Sequence, residues 1–143
     1  MTKNSDYEEV LKVNETFYKA LGTRNLELMD QVWVKDSRAG CVHPGWIMLS
    51  GWQAIRQSWE NVFDPNDQVD IRLSNITVEI KGDVAWVACI QQLIYINRDP
   101  IGINMSQSTN IFERHDSGWR MILHHASPIP ITNYEIADRS NLQ

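Results

Sequence analysis

The sequence is poor in the residues that disulfide frameworks, zinc sites and nucleic-acid surfaces require. It contains two cysteines, Cys41 and Cys89, too few for a disulfide framework or a cysteine-based zinc site. Its 13 basic residues are outnumbered by 18 acidic ones, which gives a net charge of −5. Such a chain lacks the basic surface that binds phosphate backbones or anionic lipids. The composition therefore predicts neither a nucleic-acid partner nor a membrane partner.

Long apolar runs and targeting segments are also missing. The longest apolar run, residues 84–90, is far shorter than the roughly 20 residues that a membrane-spanning helix needs. The first ten residues carry no apolar stretch typical of secretory signals. A length of 143 residues suits one domain with a single core. We therefore expect one domain over 1–143, with its core at about 7–128 and a C-terminal tail at 129–143, in the cytoplasm.

Helical periodicity fills the first half of the chain. Apolar residues recur at helical spacing behind Ser5, and Gly22 is expected to end this first helix. A second helix follows, with Met29 and Trp33 on one face. A third is expected behind Ser50, which, like Ser5, begins a pattern typical of a capping box. The apolar stripe of the third helix consists of Trp52, Ile55, Trp59 and Val62.

Strand-like alternation dominates the second half of the chain. The apolar pattern changes phase at Ser74-Asn75, which predicts a β-bulge. The order of elements predicts an α+β fold, a cone-shaped and strongly curved antiparallel sheet with the three helices on its concave face. The predicted strands are 41–43, 46–49 (around a Pro44-Gly45 turn), 71–80, 84–97, 103–114 and 119–127.

Both faces of the predicted sheet are apolar. On the strand at 84–97, one face carries Trp86 and Ile90, and the other carries Val87 and Cys89. A sheet with two apolar faces needs a cover on each. The helices cover one face, and a second copy of the chain in a two-fold dimer is the economical cover for the other. We therefore predict a homodimer through the outer face of the sheet.

Two segments carry a family resemblance. The segment "CVHPGWIMLSGWQAIRQSWENVF" spans the short strands and the third helix, and "NIFERHDSGWRMILHHAS" spans the closing hairpin. Both resemble the nuclear transport factor 2-like superfamily, in particular its SnoaL-like and ketosteroid-isomerase-like members, over about residues 8–128. The resemblance implies the cone-shaped fold but leaves the function open, because this fold hosts many activities.

The chain is also similar to the association domain of calcium/calmodulin-dependent kinase II, with matched positions at Gly51, Arg56, Glu60 and Asn61. The pocket of that domain is lined by three arginines, a histidine and a tyrosine. The aligned positions here are Gln92, Asn110, Ala126, Ile55 and Met29. Since none keeps its residue type, the resemblance does not imply anion binding. It implies that the first three positions face the cavity, with His124 beside them and His125 on the opposite face.

Candidate catalytic residues are restricted to two histidines. No acidic side chain falls on an inward strand position, so the carboxylate base of isomerase-like enzymes has no counterpart. If proton transfer takes place, the base is His43 or His124. A structural role competes at both positions, with His43 packed on Trp46 and His124 as a buried, hydrogen-bonded imidazole. Whether the chain is an enzyme therefore stays open.

Two functions remain for the predicted cavity. One is binding of a small hydrophobic molecule, with possible isomerase, cyclase or dehydratase chemistry; the other is a non-catalytic homodimerisation module with a vestigial pocket. No metal is expected, because His124 and His125 point to opposite faces of one strand. No cofactor is expected, because no glycine-rich phosphate loop is present. The candidate ligand-binding residues are Asn14, Met29, Trp33, Trp46, Ile55, Trp59, Gln92 and Asn110.

Overall fold

A computed structural model describes residues 3–130, in which three helices lie against one six-stranded sheet. Most of the predicted C-terminal tail lies outside the described residues. Within residues 3–130, no helix is long and apolar enough to cross a membrane. The elements are α1 (Lys3–Thr23), α2 (Leu26–Val32), β1 (Gly40–Val42), β2 (Leu49–Ser50), α3 (Trp52–Val62), β3 (Val69–Lys81), β4 (Val84–Tyr95), β5 (Gly102–His115) and β6 (Gly118–Pro128).

The strands follow the order β2-β1-β6-β5-β4-β3, and the predicted α+β cone is confirmed. Neighbouring strands pair antiparallel except β1 and β6, which run parallel. This parallel pair was not predicted, and it makes the sheet mixed. The chain reaches β1 from α2 rather than through a hairpin with β6, so no tight turn constrains its direction.

The predicted bulge in β3 is confirmed. Pairing with β4 shifts between Ser74 and Thr77, so β3 has one extra residue there. Asn75 takes the left-handed conformation with φ of 53°, which asparagine tolerates better than most residues. A bulge bends its strand and increases the local twist, and this one therefore helps to curve the sheet over the helices.

A second bulge, in β6, was not predicted. Ile111 pairs with Leu123 but Phe112 pairs with Met121, so Ile122 is the extra residue. The bulge brings Trp119 and Met121 to the buried face that also carries His124. Without the bulge, strict alternation would place Trp119 and Met121 on the face that carries His125.

The same bulge turns Arg120, which lies between Trp119 and Met121, away from the buried face. Its Nη1 donates to the backbone oxygen of Gln31 at 2.7 Å, and its Nη2 donates to Ser117 Oγ at 3.2 Å. The guanidinium therefore joins the end of α2 to the β5–β6 turn and lies away from the inward face of β6.

Strand β4 presents Gln91, not Gln92, to the helices. Its buried side chains alternate as Ala85, Val87, Cys89, Gln91 and Leu93. The prediction that Gln92 faces the cavity is therefore wrong by one residue. Because side chains alternate with period two, a one-residue slip in alignment moves a residue to the opposite face. Both faces of β4 are apolar, so the hydrophobic pattern could not show which of the two glutamines faces the helices.

The helix ends differ from the predicted capping boxes. Helix α1 begins at Lys3 and continues past Gly22, so Ser5 lies inside it, and Arg24 takes the left-handed position with φ of 53°. Helix α3 is preceded by Gly51 with φ of 89° and has no side-chain cap. Ser50 instead pairs with Gly40 in the sheet. Ser50 is therefore a strand residue and not the helix cap that the sequence pattern predicted.

The core lies between the helices and the concave face of the sheet. Its large, nearly fully buried side chains include Phe17, Trp33, Phe112 and Trp119. At one end, Arg114 pairs with Asp6 at 2.7 Å and stacks its guanidinium 4.5 Å from the Trp119 ring centre. These contacts fasten the first turns of α1 to β5 and β6. The opposite end of the helical layer is less tightly closed, and the cavity opens there.

Candidate functional site

A cavity of about 280 Å³ lies where α1 and α3 end against the sheet. This volume is just below the range for ligand pockets, roughly 300–1,000 Å³. Its apolar wall includes Leu21, Trp46, Trp59, Phe63 and Leu93, and its neutral polar groups come from His43, Gln91, Asn104, Ser106 and His124. The cavity therefore combines flat aromatic surfaces with a few uncharged hydrogen-bonding groups.

His43 is placed by the turn that follows β1. The Trp46 N–H donates to the His43 carbonyl at 2.8 Å, and Gly45 has φ of 83°, as a type II turn requires at its third residue. The imidazole packs edge-on against Trp46, with ring centres 4.7 Å apart, and against Trp59, at 4.5 Å. The predicted packing of His43 on Trp46 is confirmed, and the same ring also lines the cavity.

The tautomer of His43 follows from its partner, Ser58. His43 Nε2 lies 2.8 Å from Ser58 Oγ, and that hydroxyl lies 2.6 Å from the backbone oxygen of Ile55. Ser58 has one proton, which it donates to the carbonyl, so it accepts from His43 Nε2–H. The lone pair of His43 is then on Nδ1. Burial lowers the pKa of His43 to about 4, so the ring is neutral at pH 7.

His124 is held by an amide directly across from it on β5. Its Nδ1 lies 2.6 Å from Asn110 Oδ1, and Asn110 Nδ2 donates to Asn14 Oδ1 at 2.8 Å and to the Tyr18 hydroxyl at 3.1 Å. With its amide nitrogen committed to donating, Asn110 offers an oxygen to His124, so His124 carries its proton on Nδ1. Its lone pair is then on Nε2, the nitrogen left for a cavity ligand.

Burial also keeps His124 neutral. The ring is 1% exposed, and burial, reinforced by repulsion from His43 and His125, lowers its pKa to about 3. Phe17 and Trp59 enclose it, with ring centres 4.7 Å and 6.1 Å away. The predicted structural role of His124 as a buried, hydrogen-bonded imidazole is confirmed, and the ring contributes to the cavity wall as well.

The hydrogen-bond network continues from Tyr18 to Gln91. The Tyr18 hydroxyl donates to Gln91 Oε1 at 2.9 Å, and Ser108 Oγ donates to the same oxygen at 2.7 Å. Burial raises the pKa of Tyr18 far above its ordinary value, so the phenol keeps its proton. Since Gln91 Oε1 accepts two hydrogen bonds, the amide group left for the cavity is Nε2, a donor.

Only part of the predicted set is on the cavity wall. The predicted site residues that line it are His43, Trp46, Trp59 and His124. Asn14 and Asn110 lie behind His124 in the network, and Gln92 is on the outer face. Fully buried packing positions hold Met29, Trp33 and Ile55. The binding and catalytic roles of the wall residues stay predictions.

Several wall residues were missed. Gln91 is adjacent to the predicted Gln92, and Ser106 is 1% exposed. The mouth is lined by Arg24, Asp64, Asp67 and Tyr95, which come from separate loops and strand ends. Only the Ser106 position had a signal, since it shares a stripe with Asn110. Residues from distant loops carry no periodicity that could bring them together before the fold is known.

The charged residues at the mouth largely neutralise one another. Asp67 accepts from Arg98 at 2.8 Å, and this pairing holds the pKa of Asp67 below its usual value. Arg98 also stacks 3.9 Å from the Tyr95 ring centre, and Arg24 Nη1 donates to the backbone oxygen of Gly22 at 2.9 Å. Asp64 adds a second carboxylate to the mouth. With Arg24 and Arg98 against Asp64 and Asp67, the mouth carries no net charge.

Metal and thiol chemistry find little support in the described part of the chain. Within residues 3–130, no group of three or more His, Cys, Asp or Glu side chains is placed to hold a metal ion. His124 is buried while its neighbour His125 is exposed, so the two lie on opposite faces as predicted. Cys41 and Cys89 are free, and burial raises the pKa of both thiols, which disfavours the nucleophilic thiolate.

Residues 10–132 match the SnoaL-like domain family. The chain belongs to the SnoaL-like family. The superfamily resemblance predicted from the two sequence segments is therefore confirmed. No particular ligand or reaction follows from membership, because the activity depends on the residues of the site rather than on the fold.

Two solved structures are similar in both sequence and fold to this SnoaL-like chain. One is a candidate dehydratase of the nuclear transport factor 2-like family from Streptomyces avermitilis, with 28% identity and a TM-score of 0.81, covering 91% of this chain and 100% of that one. The other is a candidate calcium/calmodulin-dependent protein kinase II association domain from Thiobacillus denitrificans. It has 28% identity and a TM-score of 0.71, covering 82% of this chain and 93% of that one.

A curated relative is also similar. The F-box protein SKIP8 of Arabidopsis thaliana is 27% identical over 127 residues, which cover 89% of this chain and 52% of the relative. The chain thus spans about half the length of the curated relative that it matches. The similar proteins include a candidate enzyme and a candidate association domain, so they do not decide between the two predicted functions.

Proposed function

We propose that this SnoaL-like protein binds a small, mostly apolar molecule in the cavity between its helices and its sheet. The observation that carries the proposal is a pair of neutral histidines, His43 and His124, on the wall of a cavity of about 280 Å³. The ring centres of His43 and His124 lie 4.5 Å and 6.1 Å from that of Trp59, so an apolar ligand against this indole lies near both histidines. This combination of aromatic wall and few polar anchors is typical of small-molecule sites.

Binding is better supported than catalysis. A general base works best when its pKa is near the operating pH, whereas the pKa values of His43 and His124 are about 4 and 3. At neutral pH both rings are hydrogen-bond acceptors with little driving force to take a proton. The likeness to a candidate dehydratase supports isomerase, cyclase or dehydratase chemistry as a secondary role, with one of the two histidines as the base.

Blocking the mouth of the cavity tests the binding function. Asn104 is an exposed residue of the wall, so Asn104→Trp should fill the mouth without disturbing the core. We expect indole to bind the unmodified protein in isothermal titration calorimetry and to bind Asn104→Trp at least about tenfold more weakly. Solvent extraction followed by mass spectrometry should recover a small molecule from the unmodified protein only.

The matched control is Gln107→Trp, on the same strand but on the exposed outer face. It should bind indole as the unmodified protein does. If the unmodified protein yields no extractable molecule and binds no indole, the binding function is wrong.

An association function is the second candidate, and the outer face of the sheet supports it. Trp86 is opposite Ile111, and Ile111 is opposite Leu123, so one apolar row crosses β4, β5 and β6. Trp86 is 38% exposed, and the other two side chains are partly exposed. An apolar patch across three strands is unusual on a monomer. We propose that a second copy covers it in a two-fold dimer, and the likeness to a candidate association domain supports this.

A charge at the centre of the apolar row should separate the two copies. We expect the unmodified protein to sediment as a dimer at micromolar concentration and Ile111→Arg to sediment as a monomer, because the arginine would be buried twice in a two-fold interface. Gln53→Arg, on the exposed surface of α3, adds the same charge away from the sheet and should leave the dimer intact. An unmodified protein that sediments as a monomer would rule out the dimer.

A further inference from the structure

We propose that the cavity selects a neutral ligand that carries a hydroxyl group on a one- or two-ring skeleton, and that it discriminates against carboxylates. The inference rests on the proposed binding function and specifies the class of ligand. It follows from the directions of the hydrogen bonds around the cavity, from the charges at its mouth and from the shape of its apolar wall.

The two histidines offer only acceptors to the cavity. The Nε2–H of His43 is committed to Ser58, which in turn donates to Ile55, so His43 has its lone pair on Nδ1. The Nδ1–H of His124 is committed to Asn110, so His124 has its lone pair on Nε2. A ligand group that meets either ring must therefore donate a hydrogen bond.

The network opposes the other tautomer of His124. A proton on Nε2 would leave Nδ1 as a lone pair 2.6 Å from Asn110 Oδ1. To avoid this contact between two acceptors, the Asn110 amide would have to flip. The Asn14 amide would have to flip with it, because Asn110 Nδ2 donates to Asn14 Oδ1. The rotated Asn110 would also face the Tyr18 hydroxyl with an oxygen, in competition with Gln91 for the phenolic proton. The tautomer is thus fixed by a chain of buried hydrogen bonds rather than by the ligand.

A hydroxyl group also satisfies the amide donor of the inner wall, Gln91. Gln91 Oε1 accepts from both Tyr18 and Ser108, which leaves its Nε2 to donate to the cavity. A hydroxyl can donate to a histidine and accept from Gln91 at the same time. Trp59 Nε1 is fully buried, so its N–H does not reach a ligand in the cavity. A ketone could accept from Gln91 or from the Ser106 hydroxyl but would leave both histidine lone pairs unpaired, and a hydrocarbon would leave all of these groups unpaired.

A carboxylate would meet the wrong charges and the wrong polarity. Inside the cavity it would face two imidazole lone pairs, and at the mouth it would pass Asp64 and Asp67. The cationic side chain on the wall, Arg24, already acts on the charge of Asp67, and Arg98 is paired with the same carboxylate, so the two arginines leave no net positive charge at the mouth. Burying an anion without a compensating cation or several donors is strongly unfavourable.

The apolar part of the wall limits the size and shape of the skeleton. Trp59 is in contact with both histidines, and Trp46 is in contact with His43, so the acceptors lie beside flat aromatic faces. A volume of about 280 Å³ leaves room for one or two fused rings rather than for a larger molecule. A phenol or a cyclic alcohol meets these requirements.

Three ligands of nearly equal shape test the inference at pH 7. They are 2-naphthol, 2-methylnaphthalene and 2-naphthoate, measured by calorimetry on the full chain. We expect 2-naphthol to bind about tenfold more tightly than 2-methylnaphthalene, the effect of one hydrogen bond to a buried acceptor, and 2-naphthoate to bind most weakly. Equal affinity of the first two, or tightest binding of 2-naphthoate, would overturn the selectivity while leaving the binding function in place. Binding of none would overturn both.

Variants identify the acceptor. His124→Phe and His43→Phe each remove one lone pair and keep a ring, and at least one of them should abolish the preference for 2-naphthol over 2-methylnaphthalene. His125→Phe makes the same change on the exposed outer face and should keep the preference. His124→Phe also removes a partner of Asn110, so His43→Phe, which leaves that network intact, provides the readout if the first variant does not fold. A preference retained in both folded variants would contradict the assignment.

Discussion

Asn110→Leu is expected to destabilise the protein by about 3–5 kcal/mol, because it removes the central member of a fully buried hydrogen-bond network. Asn110 is 0% exposed, and its side chain serves His124, Asn14 and Tyr18 at once. In the variant, His124 Nδ1–H and Asn14 Oδ1 lose these partners in an apolar surrounding. Each buried group left unsatisfied costs roughly 1–3 kcal/mol. Leucine has the same branched arrangement of heavy atoms as asparagine but is bulkier, so the variant leaves no cavity and any packing strain adds to the loss.

Urea denaturation at pH 7 measures the effect, with Gln107→Leu as the control. Gln107 lies on the same strand with its side chain on the exposed outer face, where its Nε2 makes one hydrogen bond, to the Cys89 backbone oxygen at 3.2 Å. Its replacement should therefore change the free energy of unfolding by at most about 1 kcal/mol. A loss below about 1 kcal/mol for Asn110→Leu would show that His124 and Asn14 find other partners, and that the tautomer of His124 is not fixed by Asn110.

The two bulges show what the sequence pattern could and could not predict about the sheet. In β3, polar Ser74 and Asn75 interrupt the apolar alternation, so the extra residue leaves a visible change of phase. In β6, the extra residue Ile122 lies between Met121 and Leu123. Three consecutive apolar residues show no phase, and the bulge becomes apparent only through pairing with β5. The bulge in β3 was therefore predictable from the sequence, and the bulge in β6 was not.

Site residues with a chemically distinctive side chain were predictable from the sequence. Residues that belong to the site only because of three-dimensional packing were not. His43 and His124 were found because a histidine on an inward stripe is distinctive, and both line the cavity. Gln91 was missed because its neighbour is also a glutamine, and period-two alternation cannot choose between two adjacent identical residues. The partnership of Asn14 with Asn110 connects residues 96 positions apart, and the distance between them depends on how closely α1 packs on the sheet.

Stability should fall steeply between pH 7 and pH 5, by about 4 kcal/mol, because two histidines are neutral in the folded state. The pKa is about 4 for His43 and about 3 for His124, against 6.5 for an ordinary histidine. Below pH 6.5 both histidines become protonated in the unfolded chain, whereas they stay neutral in the folded protein. The free energy of unfolding therefore decreases as the pH falls. Each histidine contributes about 2 kcal/mol between pH 7 and pH 5, since one pKa unit corresponds to about 1.4 kcal/mol.

Between pH 7 and pH 5, the effect of the histidines on stability can be measured apart from that of the carboxylates. Ion pairs lower the pKa values of Asp6, Asp67 and Glu113, so their stabilisation is lost only when the pH falls below the ordinary values of 3.8 to 4.5. Above pH 5 these groups are ionised in both states and add little slope. Urea denaturation at pH 7 and pH 5, at one ionic strength and one protein concentration, therefore reports mainly on the buried imidazoles.

His43→Gln should halve the decrease between pH 7 and pH 5, because glutamine can still donate to Ser58 but does not titrate. His125→Gln, which changes an exposed imidazole, should leave it nearly unchanged. A free energy of unfolding that is flat from pH 7 to pH 5 would contradict the neutral assignment. Stability that increases over this range as the pH falls would mean that the fold prefers a charged imidazole, and the cavity would then favour anions over neutral alcohols.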